Sequence, residues 1–354
     1  MSVDVKQWIT AIAPLDEKAM EIAALHVDQL TKPQGSLGKL EQLAIQLAGM
    51  TGELHPDLST RAVMIFAADH GVCEEGVSAY PQDVTAQMVM NFLNGGAAIN
   101  VLSRQNQAEI ICVDIGIKSE LQHTQLYTRK IRKGTRNLAK EPAMTREEAE
   151  KAVLTGIEIA NEHAKRGIRM FATGEMGIGN TTASAALFSA FSGLDPVRTT
   201  GRGTGVDNGG VRRKQEVIRS AIHLHEPNPA DVWDVLHKLG GLEIAGLTGL
   251  MLGAAANRCP VVIDGFISSV AAYVAIQLTP AVKPYLIASH LSAETGHRLL
   301  LEEMGLSPML HLDMRLGEGT GAVLCFPLVD AACRLMKEMA TFERAGVSRE
   351  EAPR

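Results

Sequence analysis

Two carboxylates in this chain sit in glycine-framed loops, a setting that suits acid–base work on a flat ligand. In Arg315-Leu316-Gly317-Glu318-Gly319-Thr320-Gly321-Ala322 one acid stands among three glycines and leads into a helix. Neighbours without side chains leave room for a planar molecule to reach the carboxylate. A helix N-terminus lowers a carboxyl pKa, and burial under an aromatic ligand raises it. Together these leave Glu318 a base usable near neutrality. The same residues also read as a plain helix-start acid. The second acid, Glu175, belongs to Gly174-Glu175-Met176-Gly177-Ile178-Gly179-Asn180-Thr181-Thr182, followed by the small residues Ala183, Ser184 and Ala185. Here a strand ends, glycines let the backbone turn, and a helix begins that Asn180 or Thr181 can cap. Amides at such a helix start favour an anion. If both loops open into one cleft, one acid serves as base while the other orients a ligand or tunes its partner. The alternative is that Glu175 only binds backbone in its own turn. A third segment, Gly201-Arg202-Gly203-Thr204-Gly205-Val206-Asp207-Asn208-Gly209-Gly210 with Arg212, Arg213 and Lys214 behind it, reads as a phosphate cradle or as a mobile surface loop.

Other polar groups carry less. The glycine loops lack the Gly-Lys-Ser/Thr of a P-loop, and there is no GxGxxG dinucleotide fingerprint, which argues against a nicotinamide-cofactor oxidoreductase. His223 and His225 are two apart and face different sides of a helix, whereas a metal pair prefers four. Arg129, Lys130, Arg132, Lys133 and Arg136 lack interleaved aromatics, so a solvated face or a contact to one anion is expected there in preference to nucleic acid. Asp69-His70 is expected to order its loop by hydrogen bonding.

These residues need elements to hold them. The 354-residue chain is 46% hydrophobic and 21% charged, which is ordinary globular usage. Its net charge of −6 disfavours a general nucleic-acid binder. Five scattered cysteines without a CxxC pair read as reduced thiols of a cytoplasmic protein. The N-terminus lacks the basic start and apolar run of a signal peptide. The uncharged stretch 265–282 holds Ser268, Ser269, Gln277 and Pro280, so it is expected to be a buried helix and not a membrane span.

Residues 1–55 read as helical, with a loop at 31–38. After them, apolar runs alternate with helical periodicity: strands are expected within 61–71, 109–116, 167–180, 259–266 and 283–290. Helices are expected over 84–104, with Gly95-Gly96 inside, over 145–167 and over 322–339. Alternation of this kind predicts right-handed crossovers and a parallel α/β sheet flanked by helices. Ligands in such sheets bind beyond the carboxyl ends of the strands. Asp69-His70-Gly71, Asp114-Ile115-Gly116, Gly174 to Gly177, Asp264-Gly265 and Ser289-His290 would all meet there.

The segments KPQGSLGKLE (32–41), AADHGV (67–72), EGVSAYPQDVTAQMV (75–89), TGEMGIGNTT (173–182), DGF (264–266), SHLSAE (289–294) and RLGEGTGA (315–322) together resemble the nicotinate-nucleotide–dimethylbenzimidazole phosphoribosyltransferases of cobalamin lower-ligand synthesis. The resemblance runs from about residue 20 to 340. It implies a Rossmann-like catalytic domain over 56–330, a small helical domain from 1–55 with 331–354, and a homodimer. It implies transfer of phosphoribose from nicotinate mononucleotide to 5,6-dimethylbenzimidazole, without a cofactor or metal. Glu318 would be the general base and Glu175 the second acid. Tyr80, Gln87, Met88, Met176 and Leu316 would line the base pocket. Gly177, Ile178, Gly179, Asn180, Thr181, Gly203, Gly205, Lys214 and Ser292 would hold the ribose and 5′-phosphate. The competing expectation is a non-catalytic nucleotide or base binder with the same cleft.

Overall fold

The computed structural model describes residues 3–348; the outermost residues of the expected end domain, 1–2 and 349–354, lie outside the described residues. Strands β1 (Arg61–Ala68), β2 (Glu109–Gly116), β3 (Leu126–Thr128), β4 (Met170–Met176), β5 (Val261–Ile263) and β6 (Leu286–Ala288) form one sheet in the order β3-β2-β1-β4-β5-β6. Every neighbouring pair is parallel. Parallel sheets bury both faces, and β1, the apolar run Arg-Ala-Val-Met-Ile-Phe-Ala-Ala, is buried at all eight positions. The chain leaves β1 towards β2 in one direction and returns to build β4, β5 and β6 in the other. The order therefore reverses between β1 and β4, where a crevice opens for a ligand.

The expected strands at 61–71, 109–116, 167–180, 259–266 and 283–290 are all present, the last two shortened to three residues each. Three were not anticipated: β3, and the pair β7 (His290–Leu291) and β8 (Leu310–His311). Each is two or three residues long and too short to show alternation. The single helix expected over 84–104 is two, Val84–Leu93 and Ala98–Gln105. Gly95 adopts φ +78°, which ends the first, and the Asn100 side chain accepts from the Ala97 amide to start the second. The helix Arg146–Lys165 begins with a reciprocal capping box between Thr145 and Glu148.

The uncharged stretch forms the helix Phe266–Leu278, buried along most of its length beside the helix Leu242–Ala256. No helix among the described residues is long and apolar enough to cross a membrane. At the chain ends, Glu17–Gln29 packs on Lys39–Thr51, which packs on Thr320–Glu338. That last helix also reaches β4 and β5, so it runs unbroken across position 330.

Candidate active site

A cavity of about 520 Å³ opens at the carboxyl edge of the sheet, in the crevice between the segments that follow β1 and β4. Tyr80 and Met88 face it from the first segment, and Glu175, Met176, Gly177, Ile178, Asn180 and Thr181 from the second. Gly203, Ser292, Leu316 and Glu318 complete the set of anticipated residues on its wall. Four anticipated residues do not line it. Gln87 is exposed one position from Met88, because neighbours on a helix face different sides. Gly179 is turned towards Cys73 and His70, and Gly205 towards open space. Lys214 stands behind the wall, where its Nζ donates to Thr181 Oγ1 at 2.8 Å. Asp264, Phe266, Ser268, His290, Glu294 and Arg315 also line the cavity. Asp264 and His290 were legible as strand-end polar groups, but nothing in their spacing marked them as partners of the acids.

Glu318 is the central group of the late loop. It takes φ +64° between Gly317 at +83° and Gly319 at +89°. A side chain in the left-handed region costs about 1–2 kcal/mol, so the surrounding contacts must enforce it. Burial pushes its carboxyl up to about 7, against the Ile99 N–H, which pulls it down, and with the Asp264 charge adding to the rise. The helix that starts at Thr320 does not supply the lowering expected from the sequence. Its first amides serve Asp264: Gly319 N–H donates to Oδ2 at 3.1 Å, and Gly321 and Ala322 donate to Oδ1 at 2.8 and 3.1 Å. Burial raises the Asp264 carboxyl, and His290 and these three amides oppose that rise.

Glu175 is also buried, and its carboxyl is pushed up to about 8. Burial is the main cause, followed by the charges of Asp264 and Glu243 and, more weakly, Glu318; a bond from Asn180 opposes them. Asn180 therefore does not cap its helix. The N-cap is Gly179, without a side-chain bond, and the Asn180 Nδ2 donates to Glu175 Oε2. The two acid loops interlock. A Cβ on Gly317 would collide with Glu175 Oε1, and one on Gly174 would sit 2.8 Å from the Glu318 carbonyl oxygen. Only glycine at both places lets the two acids share one cavity.

Elsewhere the lining carries both Arg315 and Glu294, with Lys214 behind it. Lys214 is 1% exposed, and burial lowers its ammonium to about 8, opposed by the Glu294 charge. Arg315 donates from Nη1 to the Gly203 carbonyl at 3.0 Å. The amides of the turn after β4 are less available than the sequence suggested. Ile178 N–H donates to Thr85 Oγ1 at 3.1 Å, and Asn180 and Thr182 donate to the carbonyls of Gly177 and Gly179. The positive charge behind this turn is Lys214, which reaches the wall through Thr181.

Behind this turn, His70 Nε2 and Glu243 Oε1 meet at 2.5 Å, both fully buried. Asp69 orders its surroundings as expected, accepting the Lys118 N–H at 2.7 Å, but the side-chain partner of His70 is Glu243. The basic cluster is paired: Lys130 with Asp114, Arg132 and Arg136 with Glu148, and Lys133 with Glu120. His225 bonds the Leu138 carbonyl. Among the described residues, no group of three or more His, Cys, Asp and Glu is arranged to hold a metal ion.

Fold and site together define an α/β enzyme whose cleft pairs a shielded acid couple with a buried cation, an arrangement suited to a sugar phosphate and a flat base. A family described as phosphoribosyltransferase matches residues 12–347, and the chain belongs to it. Its relatives include the nicotinate-nucleotide–dimethylbenzimidazole phosphoribosyltransferase of Roseiflexus sp. (strain RS-1), 55% identical over 97% of both chains. The enzyme of that name from Geobacter sulfurreducens is 52% identical over 96% of this chain and 97% of its own. Among solved structures, CobT from Thermus thermophilus superposes with a TM-score of 0.91 at 47% identity, covering 94% of this chain and 100% of that one.

Proposed function

We propose that this phosphoribosyltransferase takes nicotinate mononucleotide and 5,6-dimethylbenzimidazole and yields α-ribazole 5′-phosphate and nicotinate, with inversion at C1′. The observation that carries the reading is the shared cavity: Glu318 and Glu175 on one side, Thr181 backed by Lys214 on the other. Glu318, poised at about 7, is ionised in part at neutral pH and accepts the N–H proton of the benzimidazole. The lone pair of the other ring nitrogen forms the new bond to C1′. The bond from C1′ to the pyridinium nitrogen breaks, and its electron pair neutralises that nitrogen as nicotinate leaves. A cationic leaving group needs no general acid, so the enzyme supplies orientation and a base. Glu175, held at about 8, stays protonated near neutrality and so adds little like charge beside Glu318.

In this reading Lys214, Thr181, Gly203 and Ser292 serve the 5′-phosphate, and Tyr80, Met88, Met176 and Leu316 frame the base. Gln87, Gly179 and Gly205 act from outside the wall by shaping its loops. The packing of Glu17–Gln29 and Lys39–Thr51 on Thr320–Glu338 supports a small helical domain from 1–55 with 331–354 beside a catalytic domain over 56–330, although Val3–Ala11 packs on Arg146–Lys165 and Leu242–Ala256. A cytoplasmic homodimer is part of the proposal: the five cysteines are unpaired, which suits a reducing compartment. Light scattering of the purified chain tests the dimer.

The decisive experiment incubates the protein with nicotinate mononucleotide and 5,6-dimethylbenzimidazole and resolves the products by chromatography. Appearance of an α-linked nucleotide with equimolar nicotinate supports the transferase. Binding of both compounds without any product would leave only the non-catalytic binder.

A further inference from the structure

The loop that carries Glu318 has little of its own to hold it in shape. Three successive residues, Gly317, Glu318 and Gly319, stand at positive φ. The helix that follows starts at Gly319 without a side-chain cap from its own segment. Inside the loop, the Thr320 amide and hydroxyl both donate to the Gly317 carbonyl, at 3.1 and 2.8 Å. What fastens it to the sheet is Asp264, at the carboxyl end of β5. Its two oxygens accept three amides that flank the acid on the helix side, from Gly319, Gly321 and Ala322. Asp264 is in turn anchored, since its own amide donates to Thr173 Oγ1 at 3.0 Å, on β4 two positions before Glu175. His290 Nδ1 lies 3.9 Å from Asp264 Oδ1 on the other side. A carboxylate only 2% exposed and bonded by three amides is a rigid fixture.

We propose that Asp264 is the positioning residue for Glu318: its carboxylate clamps the amides beside that acid and so aims the Glu318 carboxyl into the cavity. The inference rests on Glu318 being the base of the proposed reaction. Asp264 takes no proton from the acceptor. It fixes the geometry of the group that does, and it links β5, through Thr173, to the strand that carries Glu175. Its charge also faces Glu318 across the loop. The other titratable groups around Glu318 are Glu175, with Glu243 behind it, and Arg315 and Glu294, which also line the cavity; His290 faces Asp264.

The test compares Asp264→Asn, Glu318→Gln and the double variant, with kcat, both KM values and the pH dependence of kcat measured for each. Asparagine keeps the volume and one acceptor oxygen but loses the second acceptor and the charge. The expected result for Asp264→Asn is a fall in kcat of about ten- to a hundredfold with KM values within about twofold, the scale of a misplaced catalytic group. Its acid limb should also move to lower pH than wild type, because a like charge beside the base has gone. In the Glu318→Gln background the same substitution should add almost nothing. Normal turnover by Glu318→Gln would overturn the base reading and this inference with it. A slow Glu318→Gln beside an Asp264→Asn of normal kcat and unmoved limb would overturn the role of Asp264 alone. So would a slow Asp264→Asn whose limb stays in place while both KM values rise together, since that is the mark of general loosening. Should Asp264→Asn fail to fold, Thr173→Val decides: it releases the Asp264 amide without touching the carboxylate, should lower kcat several-fold in the same pattern, and overturns the inference if kcat is unchanged.

Discussion

The turn at 174–182 and the turn at 315–322 share a plan. Each places an acid after a glycine, ends on a left-handed glycine N-cap at Gly179 or Gly319, and runs into a helix without a side-chain cap from its own segment. They differ in what lies behind them. The first is backed by Lys214, a buried cation that reaches the wall through Thr181. The second is backed by Asp264, a buried anion that accepts the first amides of the helix. One pattern of residues is thus turned into two sites of opposite sign. The first is suited to an anion; at the second, burial, with the Asp264 charge adding to it, holds a carboxyl up to about 7. Glycines invite close approach, but the group supplied from elsewhere in the fold decides what approaches.

Breaking the second loop should have the larger effect. Glu318→Gln keeps the shape and removes the proton acceptor, so kcat should fall by about two to four orders of magnitude, with the donor KM little changed. In the wild-type enzyme kcat/KM should rise with pH through about 7 as Glu318 ionises, and that limb should vanish in the variant. A pH–rate series on both proteins checks this, and an unchanged limb assigns the proton acceptor to another group.

Gly317→Ala attacks the interlock between the two loops. Alanine at φ +83° carries a strain of about 1–2 kcal/mol, and its methyl would also displace the Glu175 carboxyl. A lower melting temperature together with a kcat reduced by about tenfold or more is expected, consistent with the sensitivity of catalysis to small misplacements. Thermal unfolding and steady-state kinetics on one preparation measure both.

The first loop should respond in binding. Lys214→Met removes the buried cation and should raise the donor KM by about ten- to a hundredfold, the loss of one charge-assisted contact. Nicotinate riboside, which lacks the phosphate, should be used equally by wild type and variant. If the riboside loses as much as the nucleotide, Lys214 is not a phosphate ligand.

The smallest effect concerns stability. Glu175 has a folded pKa of about 8, above the ordinary 4.5. Between those values the folded state binds the extra proton, so this group lowers stability as pH rises from about 4.5 to 8. Glu175→Gln has no such proton to lose. Its melting temperature relative to wild type should therefore be several degrees higher at pH 8 than at pH 5, a scale set by about 2–4 °C per kcal/mol for domains of this order. Parallel melting curves at the two pH values test the sign.

Much of the sheet was legible because its strands are short apolar runs ending in polar turns, and a parallel sheet buried on both faces leaves that mark. The helix at 146–165 announced itself through Thr145 and Glu148. β3, β7 and β8 were illegible because two or three residues carry no period. The break at Gly95 was hidden because a glycine inside a helical pattern is compatible with either continuation or termination. For the site, glycine spacing marked both acid loops. The partners that set their chemistry, Asp264 for Glu318, Glu243 for His70 and Lys214 for Thr181, lie 54, 173 and 33 positions away along the chain and share no motif with them.

The sequence by itself determined which residues could do chemistry and what kind of fold would carry them, since acids among glycines and alternating apolar runs are local facts. Only the tertiary structure decided their charge states and their reach. A carboxyl pKa depends on burial and on charges nearby in space, and those neighbours arrive from strands that meet only when the sheet is assembled.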